Sequence, residues 1–387
     1  MVQPILRPQA IVVAGGPQPF RRPAAVPVNQ NIRGPTSRRA RRTATGPVKR
    51  PSGENASAVR VGRRQLTITN PDKVFFPERG LTKGDLVAYY LDLAECVLNH
   101  VRRRPMQMKR YPDGVDGFFF YQKRVPEPHP DWLETVHIRF PSGRTADFPV
   151  VNDAAALGWI VNLGCIDLHT WPSRVDDIER PDYLLIDLDP SEGNPWESVR
   201  EIALVVKEVM DELGLASFPK TSGATGLHIL APIRPELAFP EVRRFAKALA
   251  QEVERRIGDP DVATTTWKVA ERSGVFVDYG QNTRDRTIAS AYSIRPTPDA
   301  RASAPLGWEE VPRIDPAAFT LHSMRDRVAE VGDLSAGMWR RKVSLVPRFQ
   351  QLDLSPADPT KMDSGRRRQS VQRWESGQRR RRRNVGL

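Results

Sequence analysis

The chain has 387 residues and a net charge of +13, from 59 Lys or Arg and 46 Asp or Glu. This length is enough for one large domain or two, and no run of about 18 apolar residues is present that could span a bilayer. Two cysteines, Cys96 and Cys165, lie outside any CxxC pair, which argues against a structural zinc site. We expect both to be buried free thiols, which suits a protein of the reducing cytoplasm.

The positive charge is concentrated at the two ends of the chain. Residues 1–62 contain eleven Lys or Arg and one acid, residues 361–387 contain ten and two, and the remainder has a net charge of −5. Segments with many like charges and few apolar residues do not fold alone. We therefore predict a disordered basic arm over 1–62, a folded body over 63–345 and a disordered Arg-rich tail over 346–387. The arms could neutralise nucleic-acid phosphates or serve only as solubilising tails.

Hydrophobic patterns predict alternating strands and helices along the body. A strand is expected at 65–69, followed by one helix that begins after the N-cap Thr82, has Asp85 at its third position and ends near Arg102. Further strands are predicted at 105–110, 117–123, 166–171, 183–190 and 275–278, and on either side of a turn at 222–226. Further helices are predicted at 152–163, 195–213 and 240–257. The order indicates an α/β (α+β) fold with mixed, largely antiparallel sheets flanked by helices.

Three carboxylates lie where predicted strands end. Asp187 and Asp189 close the apolar run that begins at Tyr183, and Asp278 closes a second apolar run. Residues i and i+2 of a strand face the same side, so Asp187 and Asp189 would lie side by side and repel each other unless a cation lies between them. Oxygen ligands suit Mg²⁺ or Mn²⁺, and a third carboxylate would complete a two-metal site for phosphoryl transfer. The alternative is that Asp187 and Asp189 only cap the loop and helix that follow.

The turn between two predicted strands, Ser222-Gly-Ala-Thr-Gly-Leu-His228, suits a phosphate. Small-residue turns direct successive backbone N–H groups at one point, and Ser222 and His228 add side-chain hydrogen bonds. The alternative is an ordinary hairpin with a buried histidine.

Cationic residues near aromatic or turn residues suggest two further nucleotide contacts. Lys109 precedes the aromatic strand that contains Phe120 and Tyr121, and this combination supplies charge for phosphates and rings for stacking. Lys73 and Lys83 flank the turn before the first helix and could together bind a terminal phosphate. Some of these aromatic residues could instead belong to the core, and the two lysines could be solvated surface residues.

Five segments together give the chain a family resemblance. They are Leu66-Thr-Ile-Thr-Asn-Pro-Asp-Lys-Val-Phe-Phe-Pro77, Asp187-Leu-Asp-Pro190, Thr221-Ser-Gly-Ala-Thr-Gly-Leu-His228, Val275-Phe-Val-Asp-Tyr-Gly-Gln-Asn282 and Ala291-Tyr-Ser-Ile-Arg295. In this order and spacing they resemble the polymerase domain of bacterial ligase D, a branch of the archaeo-eukaryotic primase superfamily. The resemblance runs from about residue 65 to about residue 335, and it favours the metal interpretation of the carboxylates.

The resemblance implies template-directed addition of nucleotides to a primer 3′ end, with two Mn²⁺ or Mg²⁺ ions, at gaps or breaks during DNA repair by non-homologous end joining. The implied site residues follow by position. The metal ligands would be Asp187, Asp189 and Asp278; the nucleotide would be bound by Ser222, His228, Arg295, His169, Lys109, Phe120 and Tyr121; and the DNA 5′-phosphate would be bound by Lys73 and Lys83. Implied partners are gapped, broken or primer–template DNA with a 5′-phosphate, and NTP or dNTP substrates.

Two positions depart from the pattern of the family it resembles. Thr225 stands where a basic residue is usual in the phosphate turn, and Thr297 stands where a second arginine often follows Arg295. Both changes remove positive charge, so we expect weaker nucleotide affinity unless another basic residue, such as Lys268, compensates.

The sequence contains no Lys-x-Asp-Gly nucleotidyl-lysine motif, so we expect a stand-alone polymerase. It would work with a separate DNA ligase and an end-binding protein such as Ku, in the cytoplasm and associated with the nucleoid, without a membrane. Two other functions remain open, a primase that starts chains without a primer and a catalytically weak DNA-end-binding protein.

Overall fold

The computed structural model describes residues 55–352 and Leu354. The strands in chain order are β1 (Ala56–Val61), β2 (Arg64–Thr69), β3 (Val74–Phe76), β4 (Leu81–Thr82), β5 (Met106–Arg110), β6 (Phe120–Gln122), β7 (Thr135–Arg139), β8 (Thr145–Pro149), β9 (Cys165–Thr170), β10 (Ser173–Arg174), β11 (Asp177–Pro181), β12 (Tyr183–Pro190), β13 (Phe218–Thr221), β14 (Leu227–Pro232), β15 (Ala263–Thr264), β16 (Val275–Asp278) and β17 (Ile288–Ala289). The α-helices are α1 (Lys83–Asp92), α2 (Ala94–Val101), α3 (Ala154–Asn162), α4 (Trp196–Glu212), α5 (Phe239–Ile257) and α6 (Ser323–Val331).

Two sheets organise these elements. The larger has the order β13-β14-β12-β16-β15, antiparallel except for the parallel pair β15 and β16. The smaller has the order β17-β9-β5-β6 and is antiparallel throughout. The predicted class, an α/β (α+β) fold with largely antiparallel sheets, is confirmed. None of the helices in the described part of the chain has both the length and the apolar character needed to cross a membrane.

Strand β12 is the central strand of the larger sheet, and two helices cover it. The side chains of Leu184, Ile186 and Leu188 are fully buried, and α4 and α5 pack against this strand and against each other. Both helices are amphipathic, with apolar residues three or four positions apart on the buried face. Each such side chain contributes roughly 1.5–3 kcal/mol on burial, so the strand end that bears the carboxylates has a well-defined position.

The predicted helix after Thr82 begins as expected but is divided in two. The Thr82 side chain accepts a hydrogen bond from Asp85 N, and the Asp85 carboxylate accepts one from Thr82 N, which completes a capping box. The single long helix was wrong, because Leu93 has non-helical angles (φ −98°, ψ 18°) between α1 and α2. We attribute the break to tertiary hydrogen bonds at the end of α1, where the buried hydroxyls of Tyr89 and Tyr90 donate to distant carbonyls.

Both predicted domain boundaries need correction. Residues 56–61, assigned to the N-terminal arm, form β1 and pair with β2 along its whole length. At the other end, Phe349 was placed in the tail, yet its ring is buried against Phe245 with centroids 5.3 Å apart. Residues 56–61 pair with the segment that directly follows them, but the strand is mostly exposed and gives little apolar pattern. Phe349 packs against a residue of α5 that is distant in the sequence, so local composition could not reveal its burial. Residues 1–54, 353 and 355–387 lie outside the described residues.

The observed start of α4 also differs from the prediction. Pro195, predicted as the first residue of α4, is its N-cap, and Asn194, predicted as the N-cap, instead donates its side-chain amide to the carbonyls of Ser191 and Gly274.

A buried ion cluster anchors the start of β12. Asp182, which is 2% exposed, accepts from Arg104 Nη2 at 2.5 Å, Arg174 Nε at 2.6 Å and Lys342 Nζ at 3.0 Å. The Trp339 ring lies 4.9 Å from the guanidinium carbons of both arginines. The cluster therefore joins the end of α2, β10 and the C-terminal segment to the strand that leads to the carboxylates.

We expect Asp182→Asn to lower the free energy of unfolding by about 3–5 kcal/mol, because Arg104 would be left buried without its counter-ion. Although burial opposes it, the charges of the three cations hold the pKa of Asp182 at about 2. A depressed folded-state pKa stabilises the protein above the unfolded value of about 3.9, and this stabilisation disappears as the pH falls through about 2. Urea unfolding at pH 7 and near pH 3 measures both effects.

The matched control is Asp211→Asn, which removes an exposed ion pair with Lys207 and should change the stability by less than about 1 kcal/mol. A loss at Asp182 no larger than at Asp211 would contradict the prediction.

Candidate active site

The register of the larger sheet brings distant polar residues into one row. Asp187 of β12 is directly opposite His228 of β14 on one side and Asp278 of β16 on the other, and Lys220 of β13 is opposite His228. Directly opposed residues in a sheet project from the same face. The row Lys220–His228–Asp187–Asp278 therefore crosses four strands, and Asp189 lies two residues further along β12 on the same face.

A chain of polar contacts follows this row. Lys220 Nζ lies 2.7 Å from His228 Nδ1, and His228 Nε2 lies 3.3 Å from Asp187 Oδ1. Lys220 Nζ also donates to Ala289 O at 3.0 Å and to Ser303 Oγ at 2.6 Å. Burial, followed by the charge of Arg295, lowers the pKa of Lys220, and burial, followed by the charge of Lys220, lowers the pKa of His228. In the neutral imidazole whose Nδ1 accepts from Lys220, the proton is on Nε2, the nitrogen nearer Asp187.

Burial and like charge destabilise the ionised carboxylates. Burial first, and then the carboxylates of Asp278 and Asp189, raise the pKa of Asp187 to about 7. Burial also raises the pKa of Asp189, and Arg272 opposes the shift; burial raises the pKa of Asp278, which accepts from Gly280 N at 2.6 Å. Three carboxyl groups with raised pKa values at the end of one sheet form a site where added positive charge would be stabilising.

The donor set fits hard divalent cations in an open site. In the described residues no group of three or more His, Cys, Asp or Glu side chains is arranged so that it could hold a metal ion by itself. Mg²⁺ ordinarily binds through one or two carboxylates and completes its shell with water and substrate phosphates. The carboxylate oxygens of Asp187, Asp189 and Asp278 are donors of this kind, so their chemistry suits a divalent cation.

The predicted phosphate turn is built around Ser222. Its Oγ accepts from Ala224 N at 3.1 Å and Gly226 N at 3.0 Å, so the hydroxyl proton remains able to donate. Gly223 has φ +74°, and a Cβ there would lie 2.4 Å from Arg295 Cγ. A Cβ on Gly226 would lie 2.3 Å from the carbonyl oxygen of Leu188, so the turn packs closely against β12 beside the carboxylates.

The smaller sheet places a second polar group near the first. His169 Nε2 lies 2.9 Å from Asp167 Oδ2 on the same face of β9, and Lys109 Nζ lies 3.7 Å from that oxygen. The ring of Tyr121 meets His169 edge-on with centroids 6.5 Å apart. Asp167 was missed in the sequence, although its position two residues before His169 on a predicted strand could have revealed it.

The predicted aromatic pair is separated by strand alternation. Tyr121 lies on the face of Lys109, whose Nζ is 5.8 Å from the ring centroid. Phe120 lies on the opposite face, 6.0 Å from Phe118 and 5.3 Å from the guanidinium of Arg110. Of the two, only Tyr121 is grouped with His169.

Arg295 lies between the two groups. Its positive charge influences the pKa values of Asp187 and His228 from the larger sheet and of Asp167 from the smaller. Its Nε is buried and has no hydrogen-bond partner in the described part of the molecule. An unpartnered buried donor beside the phosphate turn is a feature that an anionic ligand would satisfy.

Comparison with known proteins identifies the family. Residues 82–335 match the family described as LigD, primase-polymerase domain. The multifunctional non-homologous end joining DNA repair protein LigD of Mycobacterium tuberculosis is 34% identical over 282 residues, which cover 70% of this chain and 36% of that protein. The corresponding LigD protein of Mycolicibacterium smegmatis is 32% identical over 275 residues, with coverage of 70% and 36%.

A solved structure gives the same result. The polymerase domain from Mycobacterium tuberculosis Ligase D in complex with DNA matches with a TM-score of 0.66 and 32% identity, covering 72% of this chain and 99% of that one. This chain belongs to the LigD primase-polymerase domain family. The resemblance inferred from the sequence is thereby confirmed, and the chain spans about a third of the length of these two curated LigD relatives.

The two lysines form a third group in this LigD primase-polymerase domain. Lys83 is 6% exposed and donates to Thr69 O at 2.6 Å, while Lys73 Nζ lies 2.5 Å from Asp113 Oδ1. Burial, followed by the charges of Lys73 and Arg110, lowers the pKa of Lys83 to about 8. The structure thus brings the two predicted lysines together, with an excess of positive charge that an anion would relieve.

The two family departures have a basic neighbour that the sequence did not single out. Arg301 N donates to Thr297 Oγ1 at 3.0 Å, and Arg301 Nη1 lies 3.5 Å from the carbonyl oxygen of Ala224, the residue before Thr225. Its Nε is 2.6 Å from Asp299 Oδ2. Lys268, considered as a compensating charge, is instead exposed and paired with Glu271. A charge near Thr225 therefore comes from a different loop, which only the fold brings close.

For the metal-free protein, we expect Asp187→Asn to raise the melting temperature by about 2–6 °C, because it removes a buried charge opposed to Asp278. Millimolar Mn²⁺ should raise the melting temperature of the wild type through preferential binding to the native state, and should raise that of the variant much less. Asp211→Asn, remote on α4, should respond to Mn²⁺ as the wild type does. Equal Mn²⁺-dependent shifts in all three proteins would argue against a metal at Asp187.

Proposed function

We propose that this domain is a template-directed nucleotidyltransferase that extends primer 3′ ends at gaps or breaks in DNA during repair by end joining. The observation that supports it most strongly is the row in which Asp187 faces both Asp278 and His228. The named relatives are non-homologous end joining proteins, and the matching polymerase domain was solved in complex with DNA.

Asp187, Asp189 and Asp278 would hold two Mn²⁺ or Mg²⁺ ions. Such ions, when bound, lower the pKa of a primer hydroxyl and neutralise charge on the departing pyrophosphate. The three carboxylates, on the neighbouring strands β12 and β16, would hold the ions. Their raised pKa values support this assignment. Without cations, burial disfavours the ionised form of all three carboxyl groups, and Asp187 is also repelled by the other two.

The nucleotide would be bound by residues from both sheets. Ser222 would donate its hydroxyl proton to the triphosphate, and His228 would donate from Nε2 in the orientation that Lys220 sets. Arg295 would pair its unpartnered donor with a phosphate oxygen. On the other side, His169, Lys109 and Tyr121 would contact the sugar and base of the incoming NTP or dNTP.

The DNA partner would have a 5′-phosphate beyond the gap, bound by Lys73 and Lys83. This role follows from their shared excess charge and from the burial of Lys83, which positions its ammonium group. A DNA ligase activity and an end-binding protein such as Ku would complete the repair, and the expected location is the nucleoid region of the cytoplasm.

Extension of a labelled primer across a short gap with a downstream 5′-phosphate tests this function. We expect templated addition with Mn²⁺ or Mg²⁺ and rNTPs or dNTPs, and a loss of at least about 100-fold in Asp187→Ala/Asp189→Ala, because the charge that binds the metal is removed. Substrates without a primer test initiation of new chains in the same assay.

The matched control is Asp211→Asn, which should extend the primer as the wild type does. Retained binding to DNA ends without addition under any of these conditions would favour a DNA-end-binding protein instead of a polymerase.

We also expect Arg301→Ala to raise the KM for the incoming nucleotide by about 3- to 10-fold with little change in kcat, because it removes charge beside the phosphate turn. Thr225→Lys should lower the KM, and in the Arg301→Ala background it should bring the raised KM back towards the wild-type value. Steady-state kinetics of the four proteins measures both effects. No dependence of the KM on either residue would show that neither acts on the triphosphate.

A further inference from the structure

A groove of about 460 Å³ lies beside the carboxylates, on the side away from the phosphate turn. Its walls are the N-terminal end of α5, the loop after β15 and the loop after β16, represented by Arg243, Trp267 and Arg286. Gly280 also lines it, and Gly280 N donates to the Asp278 carboxylate at 2.6 Å. The groove therefore adjoins the backbone segment that holds the Asp278 carboxylate.

Two arginines supply positive charge to this groove. In the part of the chain that the structure describes, neither Arg243 nor Arg286 has a carboxylate at salt-bridge distance. Arg284, by contrast, is held by Glu179, with its Nη2 at 2.8 Å from Oε1. The Arg243 guanidinium lies over the rings of Tyr279 and Trp267, at 5.1 and 5.9 Å from their centroids, and the charge of Arg286 acts on Asp278. Both arginines therefore add positive charge between the groove and the carboxylates.

Trp267 gives the groove an exposed aromatic ring that is held in place. The side chain is 45% exposed, while its Nε1 donates to Tyr279 Oη at 2.8 Å. Its backbone carbonyl accepts from Arg272 Nη2 at 3.1 Å. Gly280 lies so close that an added Cβ would be 2.2 Å from the indole. A fixed, exposed indole beside arginines suits stacking with a nucleic-acid base.

The order of the strands indicates which nucleic-acid strand would lie here. Across the sheet, the first feature is the phosphate turn, which joins β13 and β14. Asp187 lies on the next strand, β12, and Asp278 lies on β16. The last feature is Trp267, in the loop after β15. Phosphoryl transfer places the attacking and leaving oxygens roughly in line on opposite sides of the phosphorus. If the leaving pyrophosphate lies at the turn, the attacking hydroxyl must approach from the side of β16 and β15, where the groove is.

We propose that this groove binds the primer strand just behind its 3′ terminus, with Trp267 stacked on a base and Arg243 and Arg286 on backbone phosphates. The proposal rests on the proposed function, because that function sets the side from which the primer 3′ hydroxyl attacks. It assigns the primer strand to one side of the site and leaves the 5′-phosphate strand to Lys73 and Lys83.

The test measures binding of the full chain to a gapped DNA without nucleotide or metal, so that no catalysis is needed. One substrate has 2-aminopurine next to the primer 3′ end, and another has it in the downstream 5′-phosphorylated strand. We expect Arg243→Gln/Arg286→Gln to weaken primer-end binding about tenfold and to reduce the salt dependence by roughly 0.7 per arginine in log Kd against log salt. Binding of an isolated downstream strand should not change.

Trp267→Ala should abolish the fluorescence change of the primer-end probe and weaken binding about fivefold or more, whereas Trp267→Phe should retain most of both. Arg255→Gln, at the other end of α5 and paired with Glu252, is the control and should behave as the wild type. The conservative Phe variant separates loss of stacking from damage to the loop.

Unchanged primer-end affinity, salt dependence and fluorescence in the groove variants would overturn the proposal. An equal loss on the downstream strand, or a loss confined to free dNTP, would also overturn it by assigning the groove to another ligand. Primer extension measured in parallel separates the two claims. A wild type that binds the primer end through the groove but adds no nucleotide would refute the polymerase function and leave the groove assignment standing.

Discussion

The antiparallel register of β12 with its two neighbours is the constraint on which the site depends. Asp187 is opposite His228 on one side and Asp278 on the other. Three residues that are far apart in the chain therefore lie on one face of the sheet, at the same level along its strands. A slip of one residue in either pairing would turn the corresponding side chain to the opposite face. The apolar residues of β12, buried under α4 and α5, oppose such a slip because it would expose them.

The same strand links two clusters of opposite electrostatic character. At its start, three cationic side chains surround the single carboxylate of Asp182. The Trp339 ring adds a cation–π contact with Arg104. At its end, carboxylates predominate and their pKa values are raised. The first cluster is satisfied within the protein and stabilises the fold. The second cluster is not satisfied within the protein. Charged groups that the protein leaves uncompensated are those expected to bind a ligand.

Positive charge is distributed around the site in separate groups with different proposed partners. Arg295 and Arg301 lie at the phosphate turn, Lys73 and Lys83 lie at the start of α1, and Arg243 and Arg286 lie in the groove beside Asp278. The carboxylates lie among them. This arrangement suits a reaction in which three phosphate-bearing segments, namely the triphosphate, the downstream end and the primer, must approach one acidic centre from different directions.

The sequence alone determined the fold class, most strand positions, the capping box at Thr82, the three carboxylates and the family, because these depend on local periodicity and on motifs a few residues long. It did not reveal the break at Leu93 or the partners of Lys220 and Arg301, whose contacts are with residues distant in the chain. It also missed the pairing of residues 56–61 with their neighbours at 64–69, because that strand is mostly exposed. It also grouped Phe120 with Tyr121, which the alternation of β6 separates. Only the tertiary structure decided which side chains share a face and a depth, because register and loop packing depend on burial across the whole domain.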